Sequence, residues 1–272
     1  MQAPIGGAAT PLLASEVCRA GGLGSLGASW TPPDVLRDQI RTIAQTDRPF
    51  VVNLVLDFDQ QERLEVALAE RVPIISFSFG LRPEFVARAH QGGARVLVQV
   101  GSAGAARAAA DAGADVLTVQ GVEAGGHVQS VVGLLPLLAE VRSSVSLPLL
   151  AAGGIGDPAS ARAAVAAGAI GVVMGTRFVA SDESAAHPDY KERLVRARAS
   201  DTVLTELFDV GWPSAPHRVL RNSTYRAWED AGCPAAGGRP GEDDEVATGI
   251  SRYASDPPGA DTVGARRIGR IP

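Results

Sequence analysis

The feature that most constrains this chain is a regular alternation. Short apolar runs at 2–4, 23–27, 50–54, 74–78, 95–99, 116–120, 147–151 and 171–174 are separated by Ala-, Arg- and Glu-rich stretches of helical length. Several of the runs are apolar at nearly every position, as a strand covered on both faces of a parallel sheet reads. The stretches between them predict helices over 11–20, 32–46, 60–70, 83–91, 103–112, 134–145 and 158–167. Several open with Pro or a Ser, Thr or Asp cap, as at Asp157-Pro158, and close with Gly. Gly92-Gly93-Ala94, Ala112-Gly113-Ala114 and Ala167-Gly168-Ala169 repeat one solution, in which a left-handed glycine stops the helix and a strand follows. Eight strands alternating with helices predict an α/β fold, a (β/α)8 TIM barrel, with a doubly wound open sheet as the alternative. A length of 272 residues suits one such domain. Residues 1–180 read as the barrel strands and their loops. Residues 181–272 read as a closing helix, near 182–199, and a C-terminal cover of the same domain. That cover includes mixed segments at 202–210 and 218–226 and a Gly/Pro-rich, then acidic, loop over 235–245.

Several function classes drop out. The net charge is −5 and no arginine cluster is dense enough for a nucleic-acid groove, so a small molecule is the expected partner. The two cysteines, Cys18 and Cys233, form no CxxC pair, which argues against a zinc site or a disulfide framework. Neither lies on a strand-end loop after the fourth strand, so a cysteine nucleophile is not expected. No basic segment leads into an apolar run and no apolar stretch reaches membrane length, so a cytoplasmic protein without membrane contact is expected. Lys191 is the only lysine and lies beyond the last strand, which removes Schiff-base chemistry. Four scattered histidines offer no metal cluster, and no metal is expected.

In a barrel, chemistry collects on the loops that follow strands. Ala152-Gly153-Gly154-Ile155-Gly156-Asp157 follows the seventh predicted strand, and its adjacent glycines let backbone N–H groups turn toward an anion. Met174-Gly175-Thr176-Arg177 follows the eighth and adds N–H groups and a hydroxyl. Together they read as a phosphate site. Gln120-Gly121-Val122-Glu123-Ala124-Gly125-Gly126-His127 follows the sixth and presents a histidine at an exposed position, where an imidazole titrates near neutral pH. His90, His187 and His217 read as ordinary packing or surface residues. Gly21-Gly22-Leu23-Gly24-Ser25-Leu26-Gly27 is not a dinucleotide fingerprint; its small residues suit a strand whose backbone approaches something flat.

The chain resembles the nitronate monooxygenase family, formerly the 2-nitropropane dioxygenases. The matching pieces are Gln2-Ala3-Pro4, Gly21 to Gly27, Arg48 to Leu54, Gln120 to His127, Ala151 to Ile155 and Met174 to Phe178, in family order. The Glu-Ala-Gly-Gly-His segment is the most specific. The resemblance implies an FMN across the barrel mouth, contacted by Asn53, Gln120, Gly125, Gly154, Val173, Met174, Gly175 and Thr176. Ala3, Pro4, Gly126 and Gly153, on the same matching stretches, complete the expected cofactor-binding set. His127 matches the family's catalytic histidine. The implied reaction is oxidation of alkyl nitronates with O2 to a carbonyl compound and nitrite. An NAD(P)H-dependent FMN reductase, such as an enoyl-acyl carrier protein reductase or quinone reductase, is the enzymatic alternative. A non-catalytic flavin- or phosphate-binding barrel is the other, and a homodimer is left open. The sequence departs from the family at Ile5, where methionine is usual, and at Gln129, where glycine is common. The stretch between Leu54 and Ile74 is also shorter than in many members.

Overall fold

The computed structural model describes residues 1–208, 212 and 215–235. Seven parallel strands follow one another around a curled sheet: β1 (Gly24–Gly27), β2 (Phe50–Val55), β3 (Ile74–Ser78), β4 (Arg95–Val100), β5 (Val116–Gln120), β7 (Leu149–Ala152) and β8 (Gly171–Val173), with β6 (Gly126–His127) outside it. The eighth expected strand, 2–4, is a bridge rather than a regular strand. Gln2 N donates to Leu23 O at 3.0 Å on one side, and Ala3 N donates to Met174 O at 2.8 Å on the other. Gln2 is fully buried; its Oε1 accepts Ser25 N and its carbonyl accepts Ser25 Oγ, both at 2.8 Å. Residues 1–3 thus join β8 to β1 and close the barrel. The bridge stays short because Pro4 has no N–H to extend the ladder and the chain then turns through residues Gly6–Ala8.

Helices α1 (Pro11–Arg19), α2 (Pro33–Ala44), α3 (Gln61–Ala69), α4 (Pro83–Gln91), α5 (Ala103–Asp111), α6 (Leu134–Ser144) and α7 (Pro158–Ala166) cover the outside. On α2, Leu36, Ile40 and Ile43 recur at helical spacing and are fully buried, each side chain stabilising by about 1.5–3 kcal/mol. Asp157 caps α7 as its sequence predicts, accepting Ser160 N at 2.8 Å.

The strands are not apolar on both faces. Val52, Leu54, Ile75, Phe77, Leu117 and Val119 belong to the core shared with the helices. The alternate residues Asn53, Ser76, Ser78, Thr118 and Gln120 are also buried, and by the two-residue period of a strand they face the barrel interior. A polar layer therefore lies just under the mouth.

After α8 (Thr176–Val179) comes α9 (Pro188–Arg196), shorter than the helix expected over 182–199. Pro188 fixes its start, and His187 Nδ1 caps it by accepting Asp189 N at 3.2 Å. The mixed segments become β9 (Thr202–Thr205), β10 (His217–Leu220) and α10 (Ser223–Asp230). β10 pairs antiparallel with β9 and with β6, forming a small sheet in the order β6-β10-β9. The loop expected over 235–245 lies, beyond Ala235, outside the described residues.

Candidate active site

One end of the mouth is built from backbone. Gly153 and Gly154 both hold positive φ, at +106° and +66°. A Cβ on Gly153 would lie 3.0 Å from Ala124 N, one on Gly154 3.2 Å from Glu123 Cβ, and one on Gly125 3.1 Å from Thr176 Oγ1. A Cβ on Gly175 would lie 3.3 Å from Ile5 and 3.6 Å from Ala3. The two predicted phosphate loops, the 120–127 loop and the bridge bearing Ala3 and Pro4 therefore converge, with Val173 and Met174 between them. Among the described residues, the N–H groups of Gly153, Gly154 and Gly175 donate to no protein acceptor. Successive turn N–H groups without protein acceptors are a feature that anion-binding concavities use. Gly125, Gly154 and Thr176 are exposed, so an anion can reach them. Glu123, of the most specific motif, is bound elsewhere: its carboxylate accepts Leu134 N at 3.1 and 3.0 Å, at the start of α6, where the helix dipole favours negative charge.

Within the Gly21–Gly27 stretch, Gly24 and Gly27 lie close against other parts of the chain. A Cβ on Gly24 would lie 2.2 Å from Ala14 O, and one on Gly27 3.1 Å from Gly6 and 3.2 Å from Pro4 O. Gly24 and Gly27 let β1 touch α1 and the bridge, so the chain itself approaches the strand closely at these positions.

Asn53 and Gln120 sit in the polar layer on different strands. Asn53 Nδ2 donates to Ser76 O, Ser76 Oγ and Ser78 Oγ at 3.2–3.3 Å. Gln120 braces the histidine loop: its Nε2 donates to His127 O at 3.1 Å and its Oε1 accepts Gln129 N at 2.9 Å. Gln129, at the position where glycine is common, accepts Gln99 Nε2 at 2.7 Å. From the cover, Arg218 donates to Val122 O through Nε and Nη2 at 3.1 and 2.9 Å.

The other end of the mouth is built from rings. His127 is partly buried, not exposed as its glycine-rich loop suggested, because Gly126 and His127 form β6 against the cover. Its ring lies 4.1 Å from Trp212 and 4.4 Å from His217, the latter stacked at 12°, with the Phe79 ring edge-on at 6.2 Å. Trp212 is fixed by donating from Nε1 to Asp57 Oδ2 at 2.7 Å. Nε2 of His127 is buried without a hydrogen-bond partner among the described residues. Burial lowers the pKa of His127 from 6.5 to about 4, so the ring is neutral at pH 7 rather than titrating there. His217, read from sequence as an ordinary residue, is part of this cluster. No local pattern could have found it or Trp212, since their partner lies some ninety residues away. Ser76 and Ser78 were legible in principle, from their alternation with Ile75 and Phe77.

Among the described residues, no group of three His, Cys, Asp or Glu could hold a metal, and no helix is long and apolar enough to cross a membrane. His90 pairs with Asp115 at 2.9 Å at the end of α4, away from this cluster.

The sequence matches the nitronate monooxygenase family model over residues 1–62 and 58–248. The chain belongs to the nitronate monooxygenase family. The two stretches overlap at residues 58–62, between the end of β2 and the start of α3. Members are flavin-carrying oxidoreductases. A nitronate monooxygenase of Pseudomonas aeruginosa is 35% identical, covering 75% of this chain and 72% of that protein. A Mycobacterium tuberculosis protein named (3aS,4S,5R,7aS)-5-hydroxy-7a-methyl-1-oxo-octahydro-1H-indene-4-carboxyl-CoA dehydrogenase is 36% identical over 84% of this chain. The chain spans only 64% of that relative's length and 65% of its Rhodococcus jostii counterpart. Among solved structures, FabK from Thermotoga maritima matches with a TM-score of 0.79 at 39% identity, over 84% of this chain and 73% of that one. A nitroalkane oxidase from Streptomyces ansochromogenes matches at 0.78 and 34%, over 87% and 80%.

Proposed function

We propose that this chain is an FMN-dependent oxidoreductase that oxidises alkyl nitronates with O2 to a carbonyl compound and nitrite. The observation that carries the reading is His127 Nε2, buried and unpartnered, on the same loop that brings Gly125 to the anion cradle. The residues present fit the cofactor. Gly125, Gly153, Gly154, Gly175 and Thr176 would hold its phosphate, the glycines letting these loops pack too closely for a Cβ. Asn53 and Gln120 would meet the polar edge of its ring system, and Ala3, Pro4, Gly126, Val173 and Met174 would line it. Bound there, FMN would supply an electron acceptor between the nitronate and O2.

The protein's own part is proton handling and shielding. With Nε2 bare, neutral His127 takes the α-proton of a neutral nitroalkane; in the other tautomer, Nε2–H donates to an oxygen of a preformed nitronate. The value near 4 belongs to the ring alone in its apolar surroundings. A nitronate anion beside it would favour the imidazolium and raise that value. Trp212 and His217 keep water from the ring faces, and Phe79 from one edge. In this reading the described residues from 181 to 235 are the cover of one domain that also contains the barrel, and the rest of the stretch expected to form that cover lies outside the described residues.

A second reading follows from the aromatic wall. Trp30, 51% exposed, meets Phe58 at 5.5 Å and Trp212 at 6.2 Å, and this apolar surface runs up to His127. It is broader than a short nitronate needs and suits the fused-ring acyl thioester for which the M. tuberculosis relative is named. Anaerobic mixing separates the readings. Bleaching of the bound flavin by a nitronate supports the first, and bleaching only by a fused-ring acyl-CoA selects the second. Bleaching only by NADH or NADPH selects the flavin reductase, and no bleaching at all leaves a binding barrel.

A further inference from the structure

We propose that His217 is a positioning residue for His127: its ring, with Trp212 on the opposite face, clamps the His127 imidazole in the plane that keeps Nε2 clear of any hydrogen-bond partner among the described residues. The inference rests on the proposed reaction for what His127 does, but not for how it is held.

The clamp follows from the register. His127 and His217 are directly opposed in the antiparallel β6–β10 pair, so their side chains leave the ladder on the same face. The rings are nearly parallel, at 4.4 Å and 12°. Trp212 lies 4.1 Å away at 31°. Two rings this close to one small imidazole exclude each other sterically, so they occupy its two faces, and Phe79 stands against an edge. The backbone of His217 is paired on both sides, with His127 and with Thr205, and the residue is 4% exposed. The clamp is therefore rigid.

A fixed plane matters because the outer torsion of histidine is broad and two-fold, so an unsupported ring turns easily. The usual brace is a hydrogen bond from the second ring nitrogen to a carboxylate or carbonyl. Among the described residues, no hydrogen bond or ion pair to a carboxylate holds the His127 ring; what surrounds it is aromatic surface. Stacking takes the place of that brace.

Two variants of the flavin-loaded full chain test this. His217→Leu keeps bulk without a flat face, and His217→Phe keeps the flat face without nitrogen. Rates per bound flavin are measured on a neutral nitroalkane, its α-deuterated form and the preformed nitronate, and crystal structures of both variants report the His127 ring plane. His217→Leu should slow the neutral nitroalkane about 10-fold, the scale of a displaced catalytic group, with a larger deuterium isotope effect. It should slow the nitronate far less, with flavin content unchanged and the His127 ring turned away from the Trp212 plane. His217→Phe should restore rate and ring plane. Equal losses in both variants, equal retention in both, or a His127 ring unmoved in His217→Leu would overturn the proposal. If the parent protein turns over neither nitro form, the reaction reading fails and the ring plane in the two crystal structures alone decides the clamp.

Discussion

The two ends of the barrel mouth are made of different material. The cradle end is backbone: Gly153, Gly154 and Gly175 carry N–H groups without protein acceptors among the described residues, and Gly125 packs against Thr176. The histidine end is side chain: His127, Trp212, His217 and Phe79 pack ring on ring. Backbone sites tolerate no Cβ but hold no titratable group. Ring sites are tuned by burial and depend on segments brought together by the cover. The two should therefore fail separately: substitutions at the cradle should cost cofactor, and substitutions at the rings should cost proton chemistry.

The largest expected separation comes from His127→Ala. Activity on a neutral nitroalkane should fall about 100-fold or more, the usual scale for losing a general base. Activity on a preformed nitronate, which has already lost its proton, should fall less. FMN affinity should stay near that of the parent, because the cradle is assembled elsewhere. The packing of the ring between Trp212 and His217 means that its loss leaves a gap, so a modest drop in stability is expected as well. Titration with FMN, followed by rates per bound flavin on both substrate forms, checks this. A parallel loss of FMN binding and activity would show that the two ends are one unit.

The converse test is Gly154→Val. A β-branched residue at φ +66° is strained by about 1–3 kcal/mol, and its Cβ would press on Glu123 Cβ at 3.2 Å. FMN affinity should weaken roughly 30-fold, the equivalent of about 2 kcal/mol. Once the protein is saturated with FMN, turnover per flavin should be nearly unchanged, since the His127 stack is untouched. Fluorescence titration of FMN gives the first number and steady-state rates at saturation the second. Unaltered FMN affinity would remove Gly154 from the cradle.

This division also explains what could be read from sequence. Helix caps and glycine stops are local, so Asp157-Pro158 and the strand–helix order were legible, with strand ends shifted by one or two residues. The closing stave was located, but its reduction to a bridge depends on Pro4 and on hydrogen bonds to Met174 and Leu23, far apart in the chain. The two glycine turns were legible because paired glycines after a strand are a local pattern; phosphate binding is their proposed role. The ring cluster was half legible: His127 announced itself on its loop, while His217 and Trp212 sit in segments without periodic pattern. The polar layer was present as an alternation, ISFS at 75–78 being its clearest part once Phe77 is recognised as facing a helix. It was obscured because the strands are apolar overall.

The smallest effect separates the two ends by acidity alone. In the folded protein His127 titrates near 4, against 6.5 for an open histidine. Between those values the unfolded chain binds a proton that the folded ring refuses, so stability rises with pH across the window. The contribution is complete above about pH 6.5 and is lost as the pH falls toward 4. The full shift corresponds to at most about 3 kcal/mol, and hydration of the partly open ring edge should reduce it to about 1 kcal/mol. His127→Phe keeps a flat ring between Trp212 and His217 but removes the proton site, so its stability should fall less on acidification than that of the parent. All other ionisable groups are common to both proteins, which makes the difference between the two curves the relevant quantity. Urea unfolding of the FMN-free proteins at pH 7, 5.5 and 4.5 measures it, FMN being omitted because its phosphate titrates near 6. Gly154→Val, which changes only backbone and packing, should displace the parent curve by a constant amount at every pH. Parallel curves for His127→Phe and the parent would mean that the ring is already open to water, and a pH-dependent gap for Gly154→Val would mean that the cradle and the rings share a titrating group.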